Sequence, residues 1–398
     1  MPMSKAVVIG GGIAGLATAI NLHHRGWSVT VVEKATIQEK DGSYLVLYPA
    51  ATSAARRLGI MGDLPARLLP HYKITEVNRR GDRLRGAVSP LIFKPPPIAM
   101  LHGDLWNAIR RRVPEEVEIK YNASITSLRQ TSDTVHAGVT DSSGDETIEE
   151  FDLLVGCDGV DSTVREMAFG PINQYAFSTR KCLVTSRLRH ALPGFGPEEG
   201  ISVHEPGRVT ILFPWAGNRP CLSVYVDEHL ITADLPQQDI FRTAVGMGTT
   251  GDILDRLSEL VIPDSPTVHS ATQITVPRYS KGRIVLLGDS AWCSTSASGM
   301  GAAAALQAAE LLALALDRNK HLPDALTQWE NTVRPLDRFS KSLGRHTLSI
   351  LCTRTAMGKA LRIAGSHGAR LPVLSDLFLA AYKKALGGDY LARDLAAG

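Results

Sequence analysis

Lys5-Ala-Val-Val-Ile-Gly-Gly-Gly-Ile-Ala-Gly-Leu-Ala-Thr-Ala-Ile-Asn-Leu-His-His-Arg-Gly-Trp-Ser-Val-Thr-Val-Val-Glu33 decides the reading of this chain. Ala6–Ile9 is a short apolar run, a helical pattern spans Ile13 to about His24, and Val29–Val32 is a second β-branched run that ends in Glu33. Strand, tight turn, helix and strand within about 30 residues make a βαβ unit. Gly10-Gly11-Gly12-Ile13-Ala14-Gly15 fits G-x-G-x-x-G. In that pattern Gly10 turns the chain out of the strand, Gly12 lets backbone N–H groups approach a pyrophosphate, and Gly15 lets the helix lie close on the strand. The pyrophosphate then sits at the positive end of the helix, beside Ile13 and Ala14. Glu33, 23 positions after Gly10 and followed by Lys34, stands where an acid accepts hydrogen bonds from a ribose. A ligand-free glycine turn is the alternative; the flanking strand, helix and acid argue against it. The loop alone does not choose between FAD and NAD.

Two later stretches make that choice. Asp152-Leu-Leu-Val-Gly-Cys-Asp-Gly-Val-Asp-Ser-Thr-Val-Arg165 reads as a buried strand that delivers Asp158-Gly159 into a turn, with a helix starting near Ser162, a natural N-cap. Gly282-Arg-Ile-Val-Leu-Leu-Gly-Asp-Ser-Ala-Trp-Cys-Ser-Thr-Ser-Ala-Ser-Gly-Met-Gly301 reads as a second buried strand ending in Gly288-Asp289, followed by an alanine-rich helix over Ala302–Leu316. Ligands bind beyond the carboxyl ends of strands in open α/β sheets, so Asp289 is placed to bind flavin ribityl hydroxyls. Gly299 and Gly301 allow the backbone to approach the ring system. The helix that begins at Gly301 and Ala302 aims its positive end at the edge where reduced flavin carries charge.

Three motifs in this order resemble the FAD-dependent monooxygenases of the aromatic-hydroxylase class, with the fold typified by p-hydroxybenzoate hydroxylase. The resemblance runs from Lys5 to about Leu336. Gly42-Ser-Tyr-Leu-Val-Leu, Phe169-Gly-Pro171 and His204-Glu-Pro-Gly-Arg208 look like the branch of tetracycline-inactivating and antibiotic-tailoring monooxygenases of secondary metabolism. The resemblance implies noncovalent FAD, with Asp289 on its ribityl chain and Asp158 and Arg165 serving FAD and a passing nicotinamide cofactor. It also implies that NADH or NADPH reduces the flavin, that O2 adds at flavin C4a, and that the hydroperoxide hydroxylates or epoxidises a medium-sized, aromatic or polyketide-like metabolite. The flavin carries this chemistry, so no catalytic side chain is expected. Four positions depart from the family. His102 stands where the family has an FAD-contacting Arg, Trp292 where Gly-Asp-Ala-Ala-His ends in His, Ser296 where a proline shapes the dioxygen side, and Met300 where Gln is usual. The change at Ser296 supports an alternative: an FAD-dependent dehydrogenase or reductase on the same fold, without oxygen insertion.

The resemblance and the pattern together predict a discontinuous α/β fold. A Rossmann-type FAD-binding domain takes 1–75, 101–180 and 276–323. An antiparallel α+β insertion at 76–100 and 181–275 binds substrate, and 324–398 is a C-terminal helical segment broken at Pro335, Gly365 and Pro372. That last segment is expected to cover the substrate side. Phe213, Trp215 and Tyr225 in the insertion, and Trp292 beside the Gly-Asp motif, are the candidates for contact with a planar substrate. Ordinary core packing is the competing role for each. Arg187 and Arg208 are the candidate anion contacts.

Composition agrees. Of 398 residues, 44% are apolar and 21% charged, which is ordinary globular usage. The net charge of +3 is spread without a long basic run, which argues against a nucleic-acid partner. Five cysteines, none closer than Cys157 and Cys182, contain no CxxC unit, so free thiols are expected and neither a metal site nor a disulfide framework. With no secretory segment and no membrane-spanning run, a cytoplasmic monomer or homodimer acting on a small molecule is expected.

Overall fold

The computed structural model describes residues 3–36, 44–65, 67, 72–88, 97–196, 198–215, 219–232, 234–246, 252–263, 266–355, 357–358 and 390–397. At its centre is a six-stranded sheet in the order Ser280–Lys281, Ile284–Leu286, Leu153–Gly156, Lys5–Ile9, Ser28–Glu33, Glu118–Tyr121. All neighbours are parallel except the first pair. Parallel strands are buried on both faces, which is why Leu153–Gly156 and Ile284–Leu286 are apolar throughout rather than alternating. The glycine-loop helix Ile13–His23 packs beside the alanine-rich helix Gly301–Arg318, whose Ala303–Ala305, Ala308, Ala309 and Ala313 are buried. A three-stranded antiparallel sheet, Ser124–Gln130, Val135–Thr140 and Glu146–Phe151, shares this core through Ile125, Val135, Ala137 and Phe151.

A second, seven-stranded sheet runs Thr267–Ile274, Ala176–Arg187, Cys221–Asp227, Arg208–Phe213, Glu199–Glu205, Lys73–Val77, Arg83–Val88. Its neighbours are antiparallel apart from Glu199–Glu205 and Lys73–Val77. One face carries Val184, Leu222, Val224, Leu212 and Ile201 against the helices Gln237–Val245 and Ile253–Leu260, through Phe241, Val245 and Leu254. The other face looks toward the glycine-loop domain. A two-stranded ribbon, Tyr44–Leu47 with Ile98–Leu101, stands over one end of it.

The helix break expected at Pro335 does not occur. Leu322–Leu351 is one 30-residue helix with Pro335 inside it. An internal proline costs about 3 kcal/mol or more. Burial of Leu326, Trp329, Val333, Leu336, Phe339 and Leu343 along one face outweighs it, each large side chain contributing about 1.5–3 kcal/mol. Gly365 and Pro372 lie outside the described residues. The end of this helix does reach the second sheet, where Leu348, Leu351 and Cys352 pack on Leu183, Val209 and Tyr225. All five cysteines are free. Among the described residues no helix is long and apolar enough to cross a membrane, and no group of three metal-ligating side chains exists.

Candidate functional site

The three motifs meet at one edge of the central sheet. Glu33 ends one strand, Cys157-Asp158 follows the next but one, and Gly288-Asp289 follows the strand beyond. All three leave the carboxyl ends of parallel strands. Glycines are the contact points. Gly10 has φ +104°, and a Cβ there would stand 2.5 Å from the Cys157 carbonyl oxygen; the Cys157 N–H in turn donates to Ile9 at 2.7 Å. A Cβ on Gly15 would overlap the Gly10 carbonyl, so the helix start lies directly on the turn. Gly288, φ +78°, touches Ala14.

Gly12 and Gly301 behave differently. A Cβ on either would meet nothing within 4 Å. Gly12 caps Ile13–His23 and Gly301 opens Gly301–Arg318, and neither helix has a side-chain cap or an acid in its first turn. Their first N–H groups are thus left for an outside acceptor, and the helix dipoles favour an anion there. Glu33 braces the loop: its carboxylate accepts from Gly11 N–H at 2.6 Å and from Ala35 N–H at 2.8 Å. Lys34 is exposed beside it. Trp106 completes the brace, its buried indole N–H donating to the Gly11 carbonyl at 2.7 Å. His102, half-buried and one turn earlier on the helix His102–Arg110, shares the Trp106 face. These features fit a dinucleotide: an acid at the ribose position, an open glycine and two uncapped helix starts.

Asp158 and Arg165 knit the motifs together. As expected, Ser162 caps the helix Thr163–Ala168, accepting from Arg165 N–H at 2.9 Å. Asp158 accepts from the Ser162 hydroxyl at 2.5 Å and from Val164 N–H at 3.0 Å. Arg165 is only 1% exposed; its guanidinium donates to the Ser290 carbonyl at 3.0 Å and to Val160 at 2.7 Å, and burial lowers its pKa. It joins the Asp-Gly turn to the Gly-Asp turn from inside. Asp289 keeps an exposed side chain while protein surrounds it, as on the floor of a cleft, and that burial raises its carboxyl above the ordinary range. The Cys293 thiol, one turn on, bonds to it.

The loop between Asp289 and Gly301 is held tightly. Ser298 bonds Ser294, the Thr295 carbonyl and the Met300 N–H. Thr295 takes φ +76°, a strained conformation for a β-branched residue, and Gly299 at φ +64° lies against Tyr48. From the long helix, Gly344 approaches so near that a Cβ would stand 2.5 Å from the Ser294 carbonyl. Ala302 follows, half-buried, in the first turn of the alanine-rich helix.

The substrate candidates separate. Phe213 stacks on Tyr44 with centroids 4.0 Å apart, and Trp215 tilts against the same ring at 5.8 Å. The Tyr225 hydroxyl donates to Ser296 at 3.4 Å, directly on the loop that departs from the family. Trp292 is the correction: it is 2% exposed and enclosed by Tyr279 at 4.8 Å and Trp329 at 6.0 Å, a packing position under the alanine-rich helix, because its strand-end helix turns it inward. Arg208 donates to the Ala244 carbonyl at 3.2 Å, on the helix-covered side of the sheet's edge. Trp106 and Tyr44 were not singled out from sequence; nothing local marks them, since their partners lie 95 residues and more away.

Residues 3–319 match the FAD binding domain family. A flavin-dependent monooxygenase of Legionella longbeachae is 26% identical over 356 residues, 85% of this chain and 87% of that protein. The FAD-dependent monooxygenase asL4 of Sarocladium schorii is 25% identical over 333 residues, 79% of this chain and 75% of that protein. Among solved structures, tetracycline destructase Tet(55) superposes with a TM-score of 0.75 at 20% identity, covering 98% of each chain. HpxO of Klebsiella pneumoniae, complexed with FAD and uric acid, has a TM-score of 0.75 at 20% identity, covering 94% of this chain and 95% of its own. With the motifs, the architecture and the family match in agreement, the chain belongs to the FAD binding domain family and is a flavoprotein enzyme of its FAD-dependent monooxygenases.

Proposed function

We propose an NAD(P)H-dependent monooxygenase that inserts one oxygen atom of O2 into a medium-sized aromatic or polyketide-like metabolite. The observation that carries this reading is the pair of uncapped helix starts at Gly12 and Gly301, joined by the Gly288–Ala14 contact and followed by the open carboxylate of Asp289. Gly12, Ile13, Ala14 and Gly15 would hold the pyrophosphate, Glu33 the ribose, His102 the outer face, and Asp289 the ribityl chain. The start of Gly301–Arg318 would face the electron-rich edge of the ring. When bound, FAD supplies the redox and oxygen chemistry. The protein's own part is to orient substrate, exclude water and stabilise charge at the helix start. Residues 1–75, 101–180 and 276–323 form the cofactor domain in this reading, 76–100 and 181–275 the substrate domain, and 324–398 the cover.

Purified protein should be yellow, release its flavin on acid precipitation, and oxidise NADH or NADPH. With oxygen-18 gas, one label should enter the product. Product formed without label would instead favour the dehydrogenase or reductase reading, for which Ser296 in place of proline is the specific support. A colourless protein that cannot be reconstituted with FAD would sink both.

A further inference from the structure

The inward face of the helix Leu322–Leu351 is apolar through Leu326, Trp329, Val333, Leu336, Phe339 and Leu343, yet it also carries two charges, Asp337 and Lys341. They are only 3% and 5% exposed. Charges are seldom buried to this extent, and two well-packed apolar side chains in their place are commonly no less stable. Stability alone therefore does not explain the pair. The Lys341 ammonium lies 2.7 Å from Asp337 Oδ1, but poor alignment leaves its N–H groups with no hydrogen-bond acceptor among the described residues. The other Asp337 oxygen accepts from the Tyr279 hydroxyl at 2.7 Å. Asp337 is thus pinned by Tyr279, and Lys341 has donors to spare.

What Lys341 faces is the segment behind Asp289. The Gln273 side-chain amide donates to the Lys341 carbonyl at 2.9 Å and to the Ser294 carbonyl at 3.4 Å. One turn on, Gly344 lies against the same Ser294 carbonyl. This seam brings the ammonium within electrostatic reach of the Cys293 thiol, and that thiol bonds the Asp289 carboxylate. A path of polar groups thus runs from Tyr279 through Asp337, Lys341 and Cys293 to Asp289 on the cleft floor. The other charged groups nearby are committed elsewhere. Asp158 accepts from Ser162 and Val164, and Arg165 donates to the Ser290 and Val160 carbonyls. Arg345 donates to Gln273, and Arg334 pairs with Glu330 and lies over the Tyr279 ring at 4.4 Å. Burial raises the Asp289 carboxyl pKa and lowers that of the Lys341 ammonium, so each charge gains from the presence of the other.

We propose that Lys341 is a positioning residue for the cofactor site: from the long helix, and through the Cys293 thiol, it holds Asp289 in the ionised form that accepts hydrogen bonds from the ribityl hydroxyls. The inference rests on the ribityl role given to Asp289 above and adds what keeps that carboxylate charged. Asp337, fixed by Tyr279, keeps the ammonium protonated and in place. A cation behind a carboxylate favours ionisation, so without it Asp289 takes up its proton at a higher pH. FAD affinity depends on the ionised form and should then fall earlier as the pH drops.

The test follows FAD release from holoprotein on dilution, by flavin fluorescence, from pH 4.5 to 8.5, with melting temperature read on the same samples. Wild-type affinity should be level at alkaline pH and fall as the pH drops through the Asp289 pKa. Lys341→Met with Asp337→Leu removes the pair together, so no buried charge is left alone. This pair variant should match the wild type at the alkaline end. Its fall should begin about half to one pH unit higher, which is about 3- to 10-fold weaker binding on the acid limb. Cys293→Ala keeps the ion pair and should shift the same way, and Cys293→Ser should restore the wild-type midpoint. In Asp289→Ala the affinity should be low and the profile flat. Equal weakening of the pair variant at every pH, or an unmoved midpoint in either it or Cys293→Ala, would overturn the proposal and leave the role of Asp289 standing. Should the pair variant not fold, Cys293→Ala decides alone. Wild-type FAD affinity in Asp289→Ala would strike the ribityl role itself, and the proposal with it.

Discussion

Gly288 and Ala14 meet at a distance that leaves no room for a side chain: a Cβ on Gly288 would stand 2.9 Å from that of Ala14. The contact ties the turn that delivers Asp289 to the first turn of the glycine-loop helix. The two halves of the dinucleotide cleft, encoded about 270 residues apart, are set against each other at this point.

Gly288→Ala should therefore act on both stability and cofactor affinity. The new Cβ clashes with Ala14 and sits at φ +78°. Strain of this kind costs about 1–3 kcal/mol. Calorimetry should show a lower melting temperature, and FAD titration a weaker complex. A variant with wild-type values in both would remove the role given to this contact.

Asp289→Ala should weaken FAD by about 10- to 150-fold, the loss of a charged acceptor worth about 1.5–3 kcal/mol, while the fold survives. The FAD-free protein should respond in the opposite direction. Burial raises the Asp289 pKa, so ionisation costs stability, a cost fully present above the folded pKa and gone below the unfolded value near 4. FAD-free Asp289→Asn should thus be at least as stable as the wild type at neutral pH, with the difference vanishing on acidification. The carboxylate is open to solvent, which keeps the effect small. Melting curves of both proteins across pH check the sign.

Trp106→Phe removes the 2.7 Å bond to the Gly11 carbonyl and keeps most of the packing. One hydrogen bond is worth about 1 kcal/mol, so FAD affinity should fall about 5-fold with the circular-dichroism spectrum unchanged. Equal affinity would mean that Glu33 alone braces the loop.

Gly344→Val should push the long helix off the Ser294–Thr295 backbone, where an added Cβ would stand 2.5 Å from the Ser294 carbonyl oxygen. Opening this seam admits water to the reacting side. The expected outcome is retained FAD, continued NAD(P)H oxidation, and more hydrogen peroxide per product. Full coupling in the variant would argue against a covering role for this helix.

The βαβ unit, the FAD motifs and the Ser162 cap were legible in the sequence because they are local. A positive-φ glycine, an N-cap hydroxyl and a β-branched run each act within a few residues, so their order along the chain is enough. Pro335 shows where locality misleads: the rule that proline ends a helix is sound, but burial of Trp329, Val333, Leu336 and Phe339 overrode it. Trp292 shows the same from the other side. Its motif put it near the cofactor, and only the aromatic neighbours Tyr279 and Trp329 turned it into core.

What tertiary structure alone decided is which groups were left over. Glycines 10, 12, 15, 288 and 301 look alike in sequence. The fold fills the space beside Gly10, Gly15 and Gly288 with protein and leaves Gly12 and Gly301 open. Sequence specifies conformations through short-range sterics and hydrogen bonds. Which polar groups stay unpaired depends on neighbours that arrive from distant parts of the chain.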